Sequence, residues 1–103
     1  MTKSIPDKAE IALEYPDKLY VGTFERSSRF EAHLEPAGIA LVFERPGADD
    51  VRKSVHIHIH FALFADILRE LALTVARVPA DDVMHREQLA QAAAELHAAL
   101  VQS

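Results

Sequence analysis

Three short stretches of this chain alternate apolar and polar residues with a period of two, and no other feature restricts its fold as much. Phe30, Ala32 and Leu34 interleave with Arg29, Glu31, His33 and Glu35. Ile39, Leu41 and Phe43 form a second set, and Val55, Ile57, Ile59 and Phe61 a third. Such alternation presents one apolar and one polar side only when the backbone is extended. Each stretch is therefore expected as a strand, and their succession as an antiparallel meander. Glu35-Pro36-Ala37-Gly38 suits a type I turn, with Pro second and Gly fourth. Proline at the first loop position excludes the two-residue primed turns, which need φ > 0 there. A loop over 35–38 pairs Leu34 with Ile39, Ala32 with Leu41 and Phe30 with Phe43. A symmetric loop centred near Asp49, in a segment marked by Pro46-Gly47, pairs Phe43 with Val55, Leu41 with Ile57 and Ile39 with Ile59. One sheet face is then apolar throughout, and a slip of one residue would turn it over.

The flanking segments complete the expected architecture. Leu19 to Glu25 is rich in β-formers and ends at Arg26-Ser27-Ser28. A three-residue loop there would set Phe24 beside Phe30 and Glu25 beside Arg29, making this strand the neighbour of the next. Residues 1–18 are polar and broken by Pro6 and Pro16, with Ile11, Leu13 and Tyr15 in alternation. They read as an arm that adds at most one edge strand. From Phe61 the period changes: Phe64, Ile67, Leu68, Leu71, Val75 and Val78 recur at helical spacing, with Asp66, Arg69, Glu70, Thr74 and Arg77 as a narrow polar stripe. Pro79 interrupts this helix, and Asp81 or Asp82 can cap a second one, whose face is Leu89, Ala92, Ala93, Leu96, Ala99 and Leu100. The expected fold class is α+β: a meander of three to four, at most five, strands followed by two C-terminal helices on one sheet face. Strands are expected at about 19–25, 29–35, 39–44 and 54–60, and helices at about 62–77 and 82–101, in a single domain over 19–103.

Composition narrows the function. The chain has 103 residues, enough for one core and not two. It is 50% hydrophobic with only 3 Gly and 5 Pro, which speaks against disorder. No apolar run approaches a membrane span and no signal segment is visible, so a soluble cytoplasmic protein is expected. There is no cysteine, hence no disulfide framework, thiol nucleophile or thiolate zinc site. The net charge of −5 argues against a nucleic-acid partner, which is held chiefly by Lys and Arg.

One constellation has chemical character: His56-Ile57-His58-Ile59-His60. On a strand, Ile57 and Ile59 point to the core and the three histidines to the opposite face. Neighbouring histidines then have Cα atoms ~6.6 Å apart, and His56 and His60 stand ~13 Å apart. At most two of the three can bind one ion. The expected register sets Ala40 between His58 and His33, Val42 between His56 and Glu31, and Gly38 between His60 and Glu35. His33, His56, His58, His60, Glu31 and Glu35 thus share a face, a donor set suited to zinc, nickel or iron. A half-solvated strand also needs polar residues outside, and histidine serves there without any ligand.

Enzyme signatures are otherwise missing, so no cofactor is expected and a non-catalytic role is favoured. Gly22, Gly38 and Gly47 are isolated, and His85-Arg86-Glu87-Gln88 lacks the second histidine of a zinc-protease helix. Ser27, Ser28 and Ser54 fall at turns or a strand start. A meander followed by a helix is similar, in element order alone, to small single-strand-binding coactivator domains. Those track their ligand with basic grooves and stack bases on aromatics, whereas the outer face here is acidic and rich in histidine. The first helix is apolar over most of its circumference and the second is rich in alanine. A homodimer joined through these helices is therefore expected, with a pH-sensing or metal-binding histidine row as the alternative.

Overall fold

The change of period at Phe61 is where the sheet ends and the helices begin. In a computed structural model, which describes residues 2–46, 53–78 and 83–102, the chain is α+β. Its strands are β1 (Lys3–Ser4), β2 (Ala9–Tyr15), β3 (Lys18–Phe24), β4 (Arg29–Leu34), β5 (Gly38–Arg45) and β6 (Lys53–His60). Helices α1 (Phe61–Arg77) and α2 (Val83–Leu100) follow. The chain divides into two compact units, Met1–Leu68 and Arg69–Ser103, with the boundary inside α1. Pro79, Asp81, Asp82 and the loop about Asp49 lie outside the described residues.

The first unit holds a four-stranded antiparallel sheet of order β1-β4-β5-β6 and a two-stranded sheet of β2 and β3. The central ladders have the pairing that turn geometry and face parity demand. Leu34 is opposite Ile39, Ala32 opposite Leu41 and Phe30 opposite Phe43. Phe43 is opposite Val55, Leu41 opposite Ile57 and Ile39 opposite Ile59. The Glu35 N–H donates to the Gly38 carbonyl at 2.8 Å, closing the turn around Pro36 and Ala37.

The N-terminal third departs from expectation. β3 does not pair with β4; it pairs along its whole length with β2, from Ala9 opposite Phe24 to Tyr15 opposite Lys18. Pro16 and Asp17 form the connection, and the φ fixed by proline suits the second position of an ordinary type I or II turn. The free side of β4 is taken instead by β1, with Lys3 opposite Phe30 and Ser4 opposite Arg29. Arg29 fastens this edge, donating from Nε to the Thr2 hydroxyl at 2.9 Å and from a terminal nitrogen to the Thr2 carbonyl at 2.8 Å. A turn closed by the Ser28 N–H on the Glu25 carbonyl carries the chain from one sheet to the other.

That crossing builds the core. Phe24 is fully buried with its ring 5.9 Å from that of Phe43, and Ile5, just after β1, is buried with it. Ser28 is also fully buried, and its hydroxyl has no hydrogen-bond partner among the described residues. In β5 the buried positions are Gly38, Ala40 and Val42, on the histidine side of the sheet, whereas Ile39, Leu41 and Phe43 are half-buried. Small side chains in the middle strand sink beneath the longer side chains of the flanking strands.

In the second unit the end of α1 meets α2 through Arg86. Its guanidinium donates to the carbonyls of Val78 at 2.6 Å and Val75 at 3.3 Å. The Val75 carbonyl, in the last turn of α1, also accepts from the Val78 N–H at 3.2 Å, and a cation beside these carbonyls suits the negative end of the helix dipole. Among the described residues, none of α1 is buried. No helix among the described residues is long and apolar enough to cross a membrane.

Candidate functional site

The histidine row sits on β6 as alternation requires. His56, His58 and His60 are exposed while Val55, Ile57 and Ile59 are half-buried. Ala40 lies between His33 and His58, Val42 between Glu31 and His56, and Gly38 opposite His60. The tightest approach is at this last pair. A Cβ on Gly38 would stand 2.7 Å from the His60 Cα and closer still to the Ile59 backbone, so only glycine fits.

Two carboxylates divide the face between them. His58 Nδ1 lies 2.8 Å from Glu35 Oε1, a distance at which the ring N–H donates to the carboxylate. His33 Nδ1 lies 3.7 Å from Glu31 Oε1, two residues away on the same strand. The face parity placed Glu35 next to His60, across Gly38. The structure gives it to His58 instead, because Glu35 is in the turn beyond β4 and its side chain reaches diagonally, as long side chains across a sheet can.

Four of the six candidate residues are brought together, as the pairs His58–Glu35 and His33–Glu31. Among the described residues no group of three His, Cys, Asp or Glu is placed to hold a metal ion. His33 and His58 face each other across two strand spacings, about 9.6 Å. An open cleft of about 430 Å³ between the β2–β3 hairpin and the start of β6 is bordered by Ile11, Leu13, Tyr20 and Val55; Lys53 and Tyr20 are its titratable groups. It contains no acid–base pair, so its chemistry is that of a contact surface.

What the residues showed less clearly is the apolar exposure of the hairpin. Leu13, Tyr15, Leu19, Tyr20 and Val21 are all exposed, with the Tyr15 and Tyr20 rings edge to face at 6.0 Å. The alternation of Ile11, Leu13 and Tyr15 signalled a strand, but not that its partner would be β3. Compared with protein-family models, with curated proteins and with solved structures, the chain matches none. Its class rests on the fold and this face: an α+β chain with a histidine-lined sheet and apolar helices.

Proposed function

We propose that the chain works by association and not by catalysis: a homo-oligomer, in its simplest form a dimer held through the C-terminal helices, that serves as an interaction module. The observation that carries this reading is the uncovered surface of α1 and α2. Leu71 is 54% exposed, Leu89 67% and Leu100 65%, and Leu63, Leu73, Val75 and Leu96 are exposed as well. Phe64, Leu68, Leu71 and Val75 on α1, and Val78 just beyond its end, follow one another at intervals of four and three, the spacing of a helix-pairing seam. Burying such a side chain completely stabilises by ~1.5–3 kcal/mol relative to exposure. Leaving so many half open forgoes an amount comparable with the ~5–15 kcal/mol that holds an ordinary domain together. A second copy brings the same seam and covers both by two-fold symmetry.

Light scattering during size-exclusion chromatography tests this. At micromolar concentration the mass is at least twice that of the chain, and Leu71→Glu combined with Leu96→Glu lowers it. A monomer mass for the unaltered chain ends the reading.

The 2.8 Å contact of His58 with Glu35 favours a second reading, in which the histidine row responds to a transition metal (zinc, nickel or iron) or to protons. His58 would act with His33, His56 or His60. Tag-free protein then carries metal that His58→Ala loses; negligible metal in both, with no thermal shift on adding zinc or nickel, removes the metal.

A further inference from the structure

The two outer strands of the four-stranded sheet are protected unequally. β1 is two residues long, begins at Lys3 and is followed by Pro6. Shortness, lysine and proline are the usual guards of a sheet edge. β6, at the other edge, is eight residues long and has no proline. From Ser54 to His60 it holds no formally charged residue at pH 7, in a chain of which 26% is charged.

The hydrogen-bond pattern fixes which groups this edge offers. In an antiparallel ladder, pairs that exchange backbone bonds alternate with pairs that do not. The Phe61 N–H donates to the Ala37 carbonyl at 3.2 Å, one step beyond the Gly38–His60 pair. Counting back, Ile59, Ile57 and Val55 bond to β5, and the N–H and C=O groups of Ser54, His56 and His58 and the N–H of His60 point to the open side; the His60 carbonyl is engaged by the first turn of α1. The other edge of β5 agrees: the Glu35 N–H on the Gly38 carbonyl gives the even-numbered residues of β5 to β4 and leaves the odd ones for β6.

We propose that this edge pairs with the same edge of a second copy, antiparallel, across a two-fold axis perpendicular to the sheet and centred on Ile57. A two-fold axis of this kind sets one residue opposite itself, so histidine faces meet histidine faces and isoleucine faces meet isoleucine faces. Centring on Ile57 opposes Ser54 to His60 and His56 to His58 of the other copy; it satisfies both backbone groups of His56 and His58 and gives the His60 N–H the Ser54 carbonyl. Centring on His58 would oppose Ser54 to Ala62, already in α1; centring on His56 would oppose His60 to residue 52, outside β6. Pairing identical strands sets like against like, which destabilises wherever the strand is charged. The segment 54–60 meets that condition because it contains no Lys, Arg, Asp or Glu. This contact is separate from the one proposed through the helices, and each can fail without the other.

Because the chain has no cysteine, Ile57→Cys introduces a single thiol. In this register residue 57 faces itself at a Cα separation of ~4.5 Å, within the disulfide range of ~4.4–6.8 Å. Mild oxidation then yields a disulfide-linked dimer on a non-reducing gel, in the Leu71→Glu background as well. Val55→Cys faces Ile59 of the other copy, with the two thiols ~13 Å apart along the strand, and stays unlinked. His58 is exposed, so His58→Lys is accommodated and lowers the solution mass at unchanged concentration by charging the edge. Equal crosslinking of both cysteine variants overturns the register. Absence of the Ile57→Cys dimer, or an unchanged mass for His58→Lys with a native circular dichroism spectrum, overturns the contact.

Discussion

Gly38 and Ser28 are both small and both buried, and substitution to alanine destabilises at the first and not at the second. At Gly38 a methyl group would enter the backbone of Ile59 and His60, which cannot give way without parting β5 from β6. Gly38→Ala therefore destabilises by about 1–3 kcal/mol, the ordinary range for overpacking. At Ser28 a hydroxyl is buried without a partner, and such a group carries its own desolvation penalty of ~1–3 kcal/mol. Ser28→Ala removes that group and leaves the Ser28 backbone bonds to Glu25 and Ile5 intact. Its stability equals or exceeds that of the parent. Denaturant unfolding of the two variants side by side checks both signs. Neither effect was legible from composition: Gly38 was read as a turn glycine and Ser28 as a loop residue, and only the approach of a distant strand gives each its role.

Among the elements, the end of α1 depends on one side chain from α2. Arg86→Ala removes the guanidinium from the Val78 carbonyl and from the Val75 carbonyl, which keeps the Val78 N–H. The loss expected is about 1 kcal/mol, as for a hydrogen bond or helix-end charge that is partly solvated. Arg86→Lys keeps the charge but not the two-carbonyl reach, and recovers part of it. Loss of helical ellipticity at lower temperature in Arg86→Ala than in Arg86→Lys is the measurement. The strands teach a different lesson. β4, β5 and β6 were legible with their register because a proline turn and matched face parity act over a few residues. The β2–β3 hairpin was not, since Tyr15-Pro16-Asp17-Lys18 read as a break in an arm. Parity says which face a strand shows and nothing about which neighbour it takes.

At the level of the whole molecule, apolar helix surface and an unguarded sheet edge both point to more than one copy. If association covers them, folding is linked to concentration, because a partner that binds only the folded chain stabilises by mass action. The melting temperature therefore rises with protein concentration over the range in which the mass increases. A melting temperature independent of concentration, together with a monomer mass, contradicts the association. The histidine face follows the same logic in part. The ladders set Glu31, His33, His56, His58 and His60 at positions of one parity, and Glu35 approaches His58 from the turn. Their sorting into His58 with Glu35 and His33 with Glu31 depended on the reach of side chains from a turn and within one strand.

Sequence alone determined the features that short-range physics controls. These are the alternation that turns the histidines outward, the turn that sets Leu34 against Ile39, and the change of period that starts α1. Tertiary structure decided that β1, and not β3, occupies the free edge of β4. It also placed Phe24 and Ile5, from segments apart in sequence, in the buried core. The physical reason is that an unpaired strand edge accepts any extended segment. The winner is chosen by the long-range burial of rings such as Phe24 against Phe43, which no local pattern encodes.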